Sequence, residues 1–278
     1  MFICLNGSFF LTNSPAIFSA NSSYRYGDGL FETIRYKEGE LLLLPLHFDR
    51  LWRGLQLLNY ALPSFFSRDL LEKKIRELLK KNNIGAHARI RLSVYRGEGG
   101  LYDNNNKTGY LIECWPLEAP AFPWNENGLV LGVYPDARKP IDLFSNLKSS
   151  SFLIYSMAAQ YAKQHRWNDA IVLNTNGAIA DTTIATIFLV KEEIVYTPSL
   201  NEGGVAGVMR SYLLEAFQKQ KIEVREASVH LSQLQEADEV FLTNAIRGIR
   251  WVQRIGDTLY KNNFSRQLYE RILLHGEL

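Results

Sequence analysis

Cysteine is nearly missing from this chain: Cys4 and Cys114 are the only two among 278 residues. Both stand in strand-like apolar runs, which reads as buried, reduced thiols and a cytoplasmic protein. Histidine is scarce as well, with 5 in the chain. Neither His47 nor His87 has further His or Cys at ligand spacing, so both are expected in structural or surface roles and no metal is expected. Neither charge sign is in excess: 31 basic against 29 acidic residues give a net charge of +2. That balance excludes the basic footprint of a nucleic-acid binder and gives no reason to expect an acidic partner. No apolar run is long enough to cross a membrane. No lysine or arginine precedes Arg25, so no signal peptide is indicated. Internal repeats and low-complexity tracts are missing too.

What is present is ordinary globular material, 46% hydrophobic and 22% charged, with length enough for one large domain or two modest ones. MFICLNGSFFLT reads as two strands around an Asn-Gly turn, and LFETIRYKEGELLLL as two more around Glu38-Gly39. PLHFDRLWRGLQLLN carries Phe48, Leu51, Leu55 and Leu58 at helical spacing, with Arg50 off that stripe, facing either solvent or a cleft. Ser67 caps a second amphipathic helix, whose RELLKK and EKK clusters form its solvated face. HARIRLSVYR alternates strictly: Ala88, Ile90, Leu92 and Val94 share one face, Arg89, Arg91, Ser93 and Tyr95 the other. An arginine-bearing face is either exposed or lines an anionic pocket, where a planar guanidinium pairs with a carboxylate. Arg96 in RGEGG is a further candidate, and the glycine- and asparagine-rich loop after it could serve as a lid.

Pro116 to Gly128 holds three prolines and little periodicity, which suggests a linker over 117–127 between an N-terminal domain, 1–116, and a C-terminal one, 128–278. Further strands are expected at Leu129 to Tyr134, around Ile171 and Ile187, at Ile194 to Tyr196, Ile222 to Arg225 and Glu239 to Thr243. Helices are expected from the SSS run to about Gln164, after Val208 and from Ser265. The fold class is α+β in two domains, with the site expected in the cleft between them.

The chemistry gathers between Ile141 and Arg210. Lys148 stands just before the SSS run, Asp181 follows an Asn-Gly turn, and GGVAGVMR brings glycines to the start of a helix. A lysine can bond to a cofactor aldehyde, provided its site favours the neutral, nucleophilic amine. A carboxylate can keep a pyridine nitrogen protonated. Unpaired N–H groups at a helix start favour a phosphate. Together these are the needs of pyridoxal phosphate. Taken singly each feature is bland, since a lysine before a helix is usually surface and a glycine loop usually a turn.

Six motifs in order carry a resemblance: YGDGLFETIR (Tyr26 to Arg35), HFDRL (His47 to Leu51), the lysine segment, GAIADTTIATIFLV (Gly177 to Val190), GVMR (Gly207 to Arg210) and TNAIRGI (Thr243 to Ile249). From about Asn6 to Asp257 the chain resembles the class IV aminotransferase family, the fold-type IV pyridoxal phosphate enzymes. That family includes branched-chain and D-amino acid aminotransferases and 4-amino-4-deoxychorismate lyases. The resemblance implies that Lys148 forms the Schiff base and that Asp181 faces the pyridine nitrogen. It implies that Arg50 and the backbone N–H groups of Val208 and Met209 bind the phosphate, with Asn244 and Ala245 also beside the cofactor. Tyr26 joins Arg89, Arg91 and Arg96 as candidates for substrate binding. A homodimer is implied as well.

The chain departs from the family at four positions. Asp181 replaces the usual glutamate, Thr186 an asparagine, Phe152 a tyrosine near the cofactor's phenolic oxygen, and Ala245 a hydroxyl residue for the phosphate. Aspartate keeps the charge but is one methylene shorter, so a longer or water-bridged contact is expected. The function expected first is aminotransfer between an amino acid, possibly branched-chain, and a 2-oxo acid, with Lys148 moving the α-proton. The alternatives are 4-amino-4-deoxychorismate lyase, releasing pyruvate and 4-aminobenzoate, and a catalytically weak cofactor-binding homologue. YGDGLFET and TNAIRGI fit the lyase branch, whereas RGEGGLY lacks the second arginine of its RGxGGRGY-like loop.

Overall fold

The computed structural model describes residues 1–14, 19–103, 107–117 and 122–274. Parts of the expected linker (118–121) and of the expected lid loop (104–106) lie outside them. The chain divides into two compact units: Met1–Ala121 with Leu147–Phe152, and Phe122–Asn146 with Leu153–Leu278. The short run carrying Lys148 thus belongs to the first unit.

In the first unit, β1 (Phe2–Leu5) and β2 (Ser8–Leu11) form the expected hairpin. Asn6 and Gly7, at φ 49° and 87°, supply the two left-handed residues that such a tight turn requires. The short α1 (Ser22–Tyr26) is capped by Asn21, whose side chain accepts from the Tyr24 N–H at 2.8 Å. β3 (Leu30–Lys37) pairs with β4 (Glu40–Leu41). α2 (Leu44–Leu57) has proline in its first turn and buries His47, Phe48, Leu51, Gly54 and Leu55. Leu58 is half-buried and caps that helix rather than extending its stripe. α3 (Arg68–Lys81) starts at Ser67, which accepts from the Leu70 N–H. β5 (His87–Arg96) and β6 (Thr108–Pro116) complete an antiparallel sheet in the order β2-β1-β6-β5-β3-β4.

The alternation of β5 holds in full. Ala88, Ile90, Leu92 and Val94 are buried with Ile34, Ile112 and the α2 and α3 stripes in one core. Cys4 and Cys114 are free thiols in that core, and burial pushes both up from their usual range.

The second unit runs β7 (Leu129–Val133), α4 (Leu153–Gln164), β8 (Asp169–Leu173), β9 (Ile179–Thr182), β10 (Thr186–Lys191) and β11 (Ile194–Pro198). A 3-10 turn at Leu200–Glu202 leads to α5 (Val208–Lys219), β12 (Val224–Ala227), α6 (Leu231–Glu236), β13 (Glu239–Asn244), β14 (Gly248–Ile255), β15 (Thr258–Leu259) and α7 (Asn263–Leu268). The strands join in a mixed sheet, ordered β12-β11-β10-β13-β14-β7-β8-β9, with β15 on β14. Its interior strands β8, β10 and β13 are buried along nearly their whole length, as sheets covered on both faces require.

Three features differ from expectation. The helix expected from the SSS run begins only at Leu153, because Ser149 bridges Leu30 and the Ser150 N–H donates to the Gly29 carbonyl at 2.7 Å. β14 follows directly on the TNAIRGI turn, whose last two residues are its start. α1 and α6 were not anticipated, having too few turns to show a period. Among the described residues no helix is long and apolar enough to cross a membrane, and no group of three or more His, Cys, Asp or Glu could hold a metal.

Leu55 lies at 0% exposure between α2 and the sheet core. Leu55→Ala should therefore cost about 2–5 kcal/mol, the range for emptying a leucine site. Urea unfolding should show a lower midpoint at unchanged slope; a midpoint equal to the wild type's would mean that the core there is not close-packed.

Candidate active site

A buried ionic cluster organises the first unit. Glu32 on β3 is 1% exposed, and two residues of α2 converge on it. His47 Nδ1 lies 2.6 Å from Oε2, Arg50 Nε donates to Oε1 at 2.8 Å, and Arg50 Nη2 donates to Oε2. The spacing of three along a helix brings His47 and Arg50 to one face. Burial alone would raise the Glu32 carboxyl, but the Arg50 charge and the hydrogen bonds from Arg50 and His47 outweigh it and bring it down to about 2. Burial pushes the His47 imidazole down despite Glu32, and the Arg50 and Lys148 charges add to that. His47 is thus a neutral imidazole bridging α2 to the sheet, and Arg50 points inward rather than to solvent.

Lys148 belongs to the same unit. Its carbonyl accepts from the Phe31 N–H at 3.0 Å, which fixes its backbone against β3. The ammonium lies 4.7 Å from the Phe31 ring centroid and 5.6 Å from that of Phe152. Those two rings meet edge to face at 5.7 Å. Phe152 therefore forms an aromatic wall beside the lysine.

The polar face of β5 distributes its arginines unequally. Arg91 lies 3.8 Å over Phe31 and is in register with Thr33 and Glu113. Arg89 is exposed and stacks on Trp115 at 4.5 Å. Burial pushes the Glu113 carboxyl up, with Arg91 and Arg89 offsetting part of the rise. Arg96 is engaged elsewhere: it donates to Asp28 Oδ2 at 2.7 Å and to the Leu58 carbonyl, and lies 4.3 Å over Tyr60. Its contacts tie the end of β5 to the turn after α1. Tyr26 ends α1 and is exposed. Arg91 is thus placed beside the Lys148 environment through Phe31.

The second unit holds an acid and an anion cradle. Asp181 on β9 is buried, and its Oδ2 accepts from the Tyr155 hydroxyl at 3.0 Å and from the Val205 N–H at 2.9 Å. Val205 lies in the glycine loop that precedes α5. That loop is pinned by Asn146, whose Nδ2 donates to the carbonyls of Leu200 and Gly204, and whose carbonyl accepts from the Ala206 N–H. Gly204 is required where it stands, since a Cβ would come within 2.5 Å of the Ala180 carbonyl oxygen. At Gly207 a Cβ would come within 2.8 Å of Thr186 Oγ1. Gly207 caps α5 without any side-chain hydrogen bond, so the first-turn N–H groups at Val208 and Met209 have no side-chain acceptor at the cap. Such a start favours an anion. Asn244 plays a different part: its Oδ1 accepts from the N–H groups of Ile246 and Arg247 at 3.0 and 2.8 Å, shaping the turn on which Ala245 sits.

Several of these residues carried no sequence signal of their own. Glu32 and Tyr155 have partners well separated along the chain, so no local pattern marks them. His47 could have been suspected from its spacing to Arg50.

The chain matches the family model described as Amino-transferase class IV over residues 29–255. It is 32% identical over 245 residues to an aminodeoxychorismate lyase of Vibrio harveyi, covering 87% of this chain and 88% of that one. It is 25% identical over 251 residues to a D-alanine aminotransferase of Listeria innocua, covering 88% and 84%. The fold superposes on the branched-chain aminotransferase of the archaeon Thermoproteus uzoniensis with a TM-score of 0.87 at 23% identity, over 100% of this chain and 96% of that one.

The Glu32 cluster has a consequence in acid. A carboxyl held at about 2 against 4.5 in the unfolded chain adds stability that is present above the unfolded value and lost as pH falls toward the folded one. Glu32→Gln should be less stable than wild type at neutral pH, because it leaves Arg50 and His47 buried without their anion. The gap should close as pH falls through that window. Denaturant midpoints of both proteins across it decide the matter; a gap independent of pH would mean that the ionised carboxylate contributes nothing.

Proposed function

The chain belongs to the class IV amino-transferase family, and from that membership we propose a pyridoxal phosphate-dependent lyase that converts 4-amino-4-deoxychorismate to 4-aminobenzoate and pyruvate. The observation that carries the reaction is the 32% identity to the Vibrio harveyi lyase across most of both chains. Aminotransfer between an amino acid and a 2-oxo acid is the second reading. It is favoured by Leu101 and Tyr102, 70% and 97% exposed, in the loop where the lyase pattern places a further arginine. Both reactions begin alike, so most of the residue assignments serve either.

The residues present fit the cofactor. The loop into α5 packs too closely on Ala180 and Thr186 to admit a Cβ at Gly204 or Gly207, and the cap of α5 is not occupied by a side chain, which leaves a helix start of the kind that favours a phosphate. Asp181 supplies a buried carboxylate on the same unit. When bound, pyridoxal phosphate supplies an electron-withdrawing ring that stabilises negative charge at the substrate's α-carbon.

The chain's own residues do the rest. Lys148 would hold the cofactor through its amine and would hold or move a proton at the substrate. Asp181 holds the proton on the pyridine nitrogen. Arg50 and the N–H groups of Val208 and Met209 take the phosphate, and a guanidinium has donors enough to serve Glu32 and an anion together. Glu32 and His47 orient Arg50 for that purpose. Ala245 contributes no hydroxyl, so its part is limited to the turn backbone that Asn244 shapes. Arg91 is our choice for a substrate carboxylate, with Arg89 at its side; Arg96, committed to Asp28, is a structural residue. A homodimer in the cytoplasm completes the proposal, with sedimentation of the purified protein as its test.

Borohydride should fix the cofactor on Lys148, and peptide mapping that finds the adduct on another lysine overturns the assignment. Arg50→Ala should weaken cofactor binding by about 2 kcal/mol or more; unchanged affinity in a folded variant removes Arg50 from the phosphate site. Asp181→Asn should keep the fold and lose turnover by orders of magnitude, whereas a wild-type single-turnover rate would make Asp181 a turn residue only. Release of 4-aminobenzoate, assayed beside a panel of L- and D-amino acids with 2-oxoglutarate, separates the two reactions: activity confined to the panel rejects the lyase.

A further inference from the structure

Asp181 is one methylene shorter than the glutamate that its family leads one to expect, and the second unit surrounds it with three groups from three other segments. Tyr155 comes from α4, Val205 from the glycine loop, and Lys139 from the segment after β7. Tyr155 Oη and the Val205 nitrogen donate to the same oxygen, Oδ2, at 3.0 and 2.9 Å. Lys139 is buried, donates to the carbonyls of Ser145 and Gly203, and lies 5.4 Å over the Tyr155 ring. Burial and the adjacent Asp181 charge push the Tyr155 phenol well above its usual value, so it remains a donor.

Two donors on one oxygen fix the plane of a carboxylate and lower its affinity for a proton. When such a carboxylate faces a protonated nitrogen, the proton stays on nitrogen, because the competing oxygen has become the weaker base. A less solvated, less hydrogen-bonded aspartate would instead draw that proton toward itself and leave the ring neutral. The shorter side chain also has one torsion fewer to adjust, so its direction depends on what holds it from behind.

We propose that Tyr155 is the positioning residue for Asp181, holding its carboxylate in one orientation as an anion so that the ring nitrogen of the cofactor keeps its proton. The inference rests on the reading of Asp181 as the partner of that nitrogen. Lys139 supports the same arrangement by anchoring the glycine loop at Gly203; burial pushes its amine down, and the nearby Asp181 charge offsets part of that. Tyr155 touches no reacting atom in this scheme. It acts through Asp181.

The test is the nitrogen resonance of 15N-labelled pyridoxal phosphate bound to the wild-type protein and to Tyr155→Phe. The expected result is a protonated nitrogen in the wild type and a shift toward the neutral pyridine position in the variant, with the lysine-bound absorbance band retained and the thermal midpoint little changed. An unchanged resonance in a folded, cofactor-loaded variant overturns the role of Tyr155. A wild-type protein that takes up no cofactor overturns the reading of the site, and this inference with it. Should Tyr155→Phe fail to fold, wild-type protein grown with 3-fluorotyrosine keeps the shape of the ring while making the phenol a stronger donor. Its nitrogen resonance should move toward fuller protonation, or, where the wild type is already fully protonated, stay protonated to higher pH. No difference by either measure overturns the proposal.

Discussion

An anion without water around it must be answered by other groups, and Glu32 is answered twice from a single helix. The pairing is sequence-distant but structurally compact: one strand supplies the carboxylate, one turn of α2 supplies both partners. Because the carboxylate cannot be solvated, α2 has no freedom to slide along β3 without stranding a charge, and such a loss costs several kcal/mol. The apolar stripe of Phe48, Leu51 and Leu55 would tolerate a small shift; the ionic cluster would not. The direction of Arg50 is therefore set by the packing of the whole unit.

The second unit solves a related problem by other means. Its buried acid is held by a phenol and a peptide N–H, and the loop before α5 is built from backbone that admits no side chain at Gly204 or Gly207. Asn146 links these parts, since the loop that it pins carries both Val205 and the approach to α5. Fixed dipoles of this kind need no rearrangement when charge develops nearby, which is the property an enzyme site requires.

Much of this was legible in the chain. Strict alternation located β5 and its buried face, and the Asn-Gly turn located β1 and β2, because those signals are local. The glycine loop and the start of α5 were legible for the same reason. Glu32 was not, being one acid in a strand whose partners sit on a later helix. Tyr155 looked like an ordinary aromatic of an amphipathic helix, and only the return of β9 beside it gives the hydroxyl a partner. β14 escaped because its first residues also read as a turn. The bonds of Arg96 to Asp28 and the Leu58 carbonyl carried no local signal either, because both partners are distant in the chain.

The run Leu147–Phe152 belongs to the first unit although the residues on either side belong to the second. During synthesis the first unit therefore leaves the ribosome incomplete. Its sheet can close from β1 to β6, but the bonds from Phe31 and Gly29 wait for a segment made some thirty residues later, roughly a few seconds at ordinary elongation rates. A nascent chain stalled or cleaved in that interval holds β3 with an unfilled edge at Leu30 and Phe31. The segment that carries Lys148 is thus also the piece that finishes an earlier-born unit.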